Sequence, residues 1–222
     1  MGDRALIISY TTPGIPGQSR PPMPWEQIME QLALFETETP DAASGVCLDP
    51  GAPYRAPAAL TDQECEIREI RPQAASELVR AWHSILPHIP PSNIWRNRHA
   101  VCFALVTNGW AHAVAIYTSP VSRSLNDGAT LELRRLAIAP TCPKNTATWL
   151  MARCERRIRA RWPEIVRLVS YQDTSVHTGT IYKAGNWRQA ATTRYRPWGH
   201  AARARAPSQT SAPKIRWEKP LR

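Results

Sequence analysis

The spacing of apolar positions changes period several times along the chain, and each change marks an element. From about residue 65 the pattern is that of a folded core. Residues 73–83 follow the helical period and end before Pro87 and the Pro90–Pro91 pair. Residues 99–107 and 110–118 are two apolar runs rich in Val, Ala and Ile, split by Asn108-Gly109. That dipeptide takes the positive φ angles of a two-residue turn, so the pair predicts a hairpin. A second turn, Asn126-Asp127-Gly128, leads into a strand over 131–138 (LELRRLAI). Over 146–161, Leu150, Met151, Cys154 and Ile158 fall on one helical face and Arg153, Arg156, Arg157 and Arg159 on the other. A strand over 165–171, a short helix over 178–187 and a strand over 191–197 follow. From about Gly199 the chain is Pro, Ala, Ser and Arg with no apolar period, which predicts a disordered cationic tail.

The N-terminal part reads differently. Residues 11–24 and 40–60 are rich in Pro, Gly, Ala and Ser and read as linkers. Between them Trp25, Ile28, Met29 and Leu32 follow helical spacing, which predicts a short amphipathic helix over 25–35. The chain therefore divides into an extension (1–65), one α/β domain (66–198) and a tail (199–222). At 222 residues it can bury one good core, not two large ones.

Charge sharpens this division. Residues 1–78 hold 5 Lys/Arg against 12 Asp/Glu, a net of −7, and residues 79–222 hold 23 against 6, a net of +17. A cationic domain attracts polyanions by counterion release, with nucleic acid the usual partner; an Arg-rich composition serving solubility is the alternative. The acidic start can also lie over the basic surface as a mimic of DNA. Five widely spaced cysteines (Cys47, Cys65, Cys102, Cys142, Cys154), an odd number without a CxxC pair, fit reduced thiols in a bacterial cytoplasm and indicate no zinc site. MGDRALIISY lacks a signal peptide's apolar core, and no run approaches the roughly 18 apolar residues that span a bilayer, so no membrane partner is expected.

Three blocks carry a resemblance. They are Trp82-His83-Ser84 with Leu86-Pro87, LELRRLAIAP...PKNTAT (131–148) and LVSYQDTSVHTGTIYKAGNW (168–187). Together with the order of elements, they resemble the phage Mom-type DNA modification proteins, within the GNAT-like acyltransferase superfamily. The resemblance spans roughly residues 78–197. It implies a mixed, mostly antiparallel sheet flanked by helices, and transfer of an acyl-type group to adenine N6 (carbamoylmethylation) that protects phage DNA from restriction.

It also implies site residues. Tyr182 matches the tyrosine that protonates the leaving group, Asp173 orients the adenine amine or acts as base, and His83 belongs to the N-terminal active-site block. Many relatives have Tyr where this chain has Ser84. Arg135 is placed to bind substrate or phosphate. In the loop Pro140–Thr148, Lys144, Asn145, Thr146 and Thr148 stand where the superfamily has a Gly-rich, donor-binding loop. Exposed N–H groups at the start of helix 146–161 make an anion site, unless Asn145 or Thr146 merely caps the helix. Alternatives stand for the others too: Tyr182 packing on Trp187, Asp173 capping the segment after it, Arg135 in a sheet-face ion pair, and His177 as an exposed loop residue. No metal ligand set is identified. The donor is acetyl-CoA or glycyl-tRNA. A glycyl group on N6 is isomeric with carbamoylmethyl, and its amine can reach C6 through a five-membered spiro intermediate.

For double-stranded DNA, and for tRNA as a second polynucleotide, Arg153, Arg156, Arg157, Arg188, Arg194 and Arg196 supply phosphate contacts. The tail adds Arg203, Arg205, Lys214, Arg216, Lys219 and Arg222, with Trp198 and Trp217 placed to stack on bases. Adenine N6 is paired in duplex, so reaching it requires flipping the base. Outside the core, Gln31, Leu32, Leu34 and Phe35 match the Q-L-x-L-F pattern that binds the replicative sliding clamp; a small helix packing Leu32 and Phe35 on the core is the competing reading. Two rival functions remain: an N-acetyltransferase acting on a small amine or protein, and a non-enzymatic DNA-binding accessory protein.

Overall fold

The computed structural model describes residues 46–49, 53, 55–83, 89–193 and 212–221. The expected 25–35 helix, with Gln31, Leu32, Leu34 and Phe35, lies outside them, as do Arg194, Arg196 and Trp198.

The strands are β1 (Val46–Cys47), β2 (Glu66–Glu69), β3 (Ala100–Thr107), β4 (Trp110–Thr118), β5 (Thr130–Ile138), β6 (Arg167–Asp173), β7 (Arg188–Thr193) and β8 (Lys214–Pro220). The helices are α1 (Pro72–Trp82), α2 (Pro91–Trp95), α3 (Thr146–Arg161) and α4 (Thr180–Ala184). One sheet runs β2-β3-β4-β5-β6-β8-β7, with β1 added on β4. Every pairing is antiparallel except β5 with β6. Asn108 (φ 48) and Gly109 (φ 79) turn β3 into β4 as their sequence predicts.

Period-2 alternation sorts the sheet into two cores. Val101, Phe103, Leu105, Ala113, Ala115, Tyr117, Leu131 and Leu133 face α3, meeting Leu150, Met151, Cys154 and Ile158. Cys102, Ala104, Val106, Val114, Ile116 and Ala137 face the other way, meeting Ala75, Leu78 and Val79 of α1 and Ile94 of α2. The expected apolar and Arg faces of helix 146–161 are both realised: Leu150, Met151, Cys154 and Ile158 are fully buried, while Arg156, Arg157 and Arg159 are exposed.

β5 contains a β-bulge. Arg135 pairs with Ile116 but Leu133 pairs with Tyr117, leaving Arg134 as the extra residue. Unbroken alternation from Leu131 and Leu133 would drive Arg135 into the α3-side core. The bulge reverses the parity, so Leu136 and Ile138 pack on that core and Arg135 lands on the α1 face.

The C-terminal end corrects an expectation. Residues 214–220 are not a disordered tail: β8 inserts between β6 and β7, and Trp217 is 4% exposed. Its apolar positions, Ile215 and Trp217, are only two and stand among charged residues, so no period stands out. Lys214, Arg216 and Lys219 consequently lie in the sheet. Arg216 pairs with Glu218 (3.0 Å), and Lys219 donates to the Gly185 carbonyl (2.6 Å). The strand expected at 191–197 begins at Arg188, and the helix expected at 178–187 is limited to 180–184. Within the expected 40–60 linker, Val46–Cys47 forms β1 and Leu60 packs on the α3-side core.

Candidate active site

β5 and β6 form the only parallel pair among the described strands, and they stay together only briefly. Thr130–Leu133 pair with Arg167–Ser170; beyond them β5 follows β4 and β6 follows β8. The sheet therefore forks after Leu133 and Ser170. The Ser170 hydroxyl sits at the fork, 3.2 Å from the Leu133 carbonyl and 2.9 Å from the Tyr182 hydroxyl.

On the α1 face, the register brings charged groups to this fork. Glu132, Arg135, Tyr171, Asp173, Lys214 and Arg216 share that face by strand parity. His83, the C-cap residue of α1, lies within electrostatic reach of Arg135 on this face. Burial, then the charges of Arg135 and His177, depress its pKa to about 4, so the imidazole is neutral at physiological pH. Burial likewise lowers Arg135 to about 10, helped by Arg134. Burial also lowers the Lys214 ammonium, against the opposing pull of Asp173. Glu132, 7% exposed, is raised by burial although Arg134 and the Val121 N–H hold its carboxylate.

Asp173 ends β6 and is 6% exposed. One of its oxygens accepts from the Ser175 N–H (2.9 Å) and hydroxyl (2.5 Å), so it does cap the loop behind it, as the alternative reading held. That loop closes through Gln172, whose amide donates to the His177 carbonyl (2.5 Å) and accepts from the Trp217 indole (2.8 Å).

Tyr182 approaches the fork from the α3 side. Its ring is stacked on Trp217 (centroids 5.3 Å, interplanar 12°) and meets the edge of Trp187 at 5.6 Å. It is 8% exposed, and burial raises its pKa. The expected packing on Trp187 is present, and the hydroxyl still points at the fork through Ser170. Trp217 is thereby committed to this aromatic stack, which corrects its expected role as an exposed base-stacking residue.

The start of α3 borders a cleft of about 580 Å³ lined by Leu60, Lys144, Asn145, Thr148, Trp149, Ala152 and Ala184. Neither alternative cap forms: Asn145 adopts φ 71 with no side-chain cap bond, and the Thr146 hydroxyl donates backwards to the Pro143 carbonyl. The first turn holds no acidic residue, so its N–H groups and Lys144 suit a phosphate-bearing donor. Arg153 lies 3.4 Å over the Trp149 ring and pairs with Asp62 at 2.7 Å, so this expected phosphate contact is engaged within the protein. Arg161 is similarly tied to Glu69. Arg188 is exposed at the start of β7.

The structure thus places Arg135 and Asp173 on one face of the fork, with His83 within electrostatic reach of Arg135. It sets Tyr182 beneath the fork and Lys144, Asn145 and Thr148 around the cleft, whereas Thr146 is buried with its hydroxyl on the Pro143 carbonyl, away from the expected donor contact. Sequence reasoning missed Glu132, Ser170 and Tyr171, and it placed Lys214 in a cationic tail rather than at the fork. Lys214 and Tyr171 needed the pairing of β6 with β8, and Glu132 had only its place in a charged strand as a signal. Among the described residues no three His, Cys, Asp or Glu side chains gather as metal ligands would, and no helix is long and apolar enough to cross a membrane.

A sheet that splits between two parallel strands ahead of a helix N-terminus defines the GNAT acyltransferase fold class. The N-acetyltransferase from Staphylococcus aureus Mu50 is similar with a TM-score of 0.52 at 16% identity, over 71% of this chain and 99% of that one. The ribosomal-protein-S18-alanine N-acetyltransferase from Escherichia coli gives 0.51 at 15%, over 71% and 94%. An acetyltransferase of GNAT family from Streptococcus pneumoniae gives 0.50 at 12%, over 71% and 99%. No curated protein matches the chain in sequence. The chain belongs to the Mom protein family, whose profile matches residues 64–212.

Proposed function

We propose that this protein transfers an acyl-type group to the N6 amine of adenine in phage DNA, ending as the carbamoylmethyl group that shields the DNA from restriction. The observation that supports the proposal is a guanidinium and a carboxylate (Arg135, Asp173) sharing one face of the sheet at the strand fork of a Mom-family chain, with a neutral imidazole (His83) within electrostatic reach of the guanidinium.

An exocyclic adenine amine is a weak nucleophile whose lone pair is drawn into the ring. Asp173 accepts a hydrogen bond from it, and His83, uncharged, takes its proton as the N–C bond forms. Arg135 steadies the oxyanion of the attacked carbonyl or a phosphate of the substrate. Tyr182 then gives its proton to the leaving group as the bond to the donor breaks, and recovers one through Ser170. Lys144, Asn145, Thr148 and the backbone N–H groups at the start of α3 hold the donor's phosphates. Acetyl-CoA and glycyl-tRNA both present such phosphates. A glycyl group resolves the product's chemistry, because attack of its amine on C6 followed by cleavage of the C6–N6 bond leaves N6-carbamoylmethyladenine with no atom added or lost. Exposed Arg156, Arg157 and Arg188 supply polyanion contacts.

Mass spectrometry of nucleosides from DNA of cells expressing the chain tests the reading. A new adenosine species that disappears with Asp173→Ala is expected; unmodified DNA from cells holding folded protein overturns it. The acetyl donor is separated from the glycyl one by labelled glycyl-tRNA, which puts label into adenine only in the second case. A second reading, N-acetylation of a protein or small amine, is favoured by the fold neighbours that do so and predicts tight acetyl-CoA binding with unaltered DNA. Sliding-clamp binding through Gln31, Leu32, Leu34 and Phe35 is proposed separately, with loss of clamp pull-down by Leu34→Ala/Phe35→Ala as its test.

A further inference from the structure

Trp95 is the most exposed large apolar residue among those described, at 58%. An indole in water forfeits apolar burial, so its position calls for a reason. It ends α2, a five-residue helix anchored by Ile94, which is 1% exposed in the α1-side core. The turn after it is held firmly: the Asn97 amide donates to the carbonyls of Asn93 (2.6 Å) and Ile94 (3.2 Å). Arg96 and Arg98 flank that turn, and both are exposed. Residues 89–99 contain no Asp or Glu, and neither arginine forms an ion pair among the described residues. The result is one exposed indole and two exposed guanidinium groups within four residues of a hydrogen-bonded turn, with Glu164 bound to His99 (3.2 Å) as its acidic neighbour.

The corner they form lies in the right layer. α2 shares the α1-side core, on the sheet face that carries Arg135 and Asp173, whereas the arginines of α3 lie across the sheet. Ala100, two residues after Arg98, pairs with Thr118, which pairs with Glu132. Two strand spacings, about 10 Å, therefore separate the start of β3 from Glu132. Asp173 lies four residues beyond that level, about 13 Å further along β6, so the corner stands at the opposite end of the strands from the opening of the fork. Both spans are well within one duplex turn of about 34 Å.

We infer that Trp95, Arg96 and Arg98 form a docking surface for the duplex DNA acceptor on the His83 side of the sheet. The inference rests on the reading that DNA is the acceptor. The two guanidinium groups bind backbone phosphates and set the register of the duplex. Trp95 packs against a sugar of the duplex that flanks the modified base, at a distance from the fork.

The test uses the full chain and a labelled DNA duplex, with affinity read by fluorescence anisotropy across a salt series. Arg96→Ala/Arg98→Ala is expected to weaken binding about tenfold and to flatten the slope of log K against log salt by about 2, close to 0.9 per lost phosphate contact. Trp95→Ala is expected to weaken binding with the slope unchanged. Arg156→Ala/Arg157→Ala, on the opposite layer, serves as the comparison. Binding within twofold of wild type for both corner variants overturns the surface, as does a loss confined to the α3 variant. Nucleoside analysis run in parallel separates the two readings. Unmodified DNA with a functional corner sinks the proposed activity alone, and modified DNA with an indifferent corner sinks the surface alone.

Discussion

Gly179 can be replaced by alanine on paper at the cost of one methyl group, yet the structure predicts a large loss. The residue has φ +76, and a Cβ built there would lie 2.5 Å from Gln172 Oε1 and 2.9 Å from Trp217 Cζ2. The left-handed conformation costs a non-glycine residue about 1–2 kcal/mol. The crowding costs about 1–3 kcal/mol more, because Trp217 is held by its stack on Tyr182. Gln172 cannot swing away freely either, since it bonds both Trp217 and the His177 carbonyl. Gly128 provides an internal control: its φ is +78, with nothing within 4 Å of the added Cβ. Gly128→Ala should therefore lose only the conformational part, about 1–2 kcal/mol. Urea unfolding of both variants measures the difference, and at 2–4 °C per kcal/mol thermal melting should separate them by roughly 2–12 °C. Equal losses would refute the steric argument and the packing of loop 174–179 on Gln172 and Trp217.

Other expectations follow from the same contacts. Deleting residues 212–222 should unfold the domain rather than trim it, and Trp217→Ala should cost about 3–5 kcal/mol, both read by circular dichroism with urea titration. A soluble, native-like deletion protein would contradict the placement of β8. His83 has a folded pKa of about 4, below its ordinary 6.5, so the unfolded chain takes up the proton first. Stability should fall as pH drops from 6.5 towards 4, and the fall should be shallower in His83→Gln; a pH-independent urea midpoint over that window would contradict the burial of the ring. The fully buried Cys154 thiol, whose pKa burial raises above that of an ordinary thiol, should resist thiol reagents in the native protein and react only after unfolding, as followed by mass shift.

Local signals carried much of the architecture. Asn108-Gly109 located a hairpin, and the spacing of Leu150, Met151, Cys154 and Ile158 located both a helix and the face it buries. Parity was harder. LELRRLAI reads as a regular strand, and only the bulge at Arg134 reveals why Arg135 is on the α1 face and not in the core. Long-range pairing was hardest of all. KIRWEKP has two apolar residues among four charged ones, so its placement beside β6 depends on contacts 45 positions away, such as Trp217 with Gln172. The site followed suit: Asp173 and Tyr182 lie in blocks that resemble a family, while Lys214 joins them only through the β6–β8 register.

That register also orders events during synthesis. β7 meets the sheet only through β8, and β8 is the last described strand to leave the ribosome. Until it arrives, β6 has an open edge, Gln172 has no indole to hold and Tyr182 has no ring beneath it. A nascent chain that has already made His83, Arg135 and Asp173 is thus still without a finished fork, and the chemistry must wait for residues 214–220.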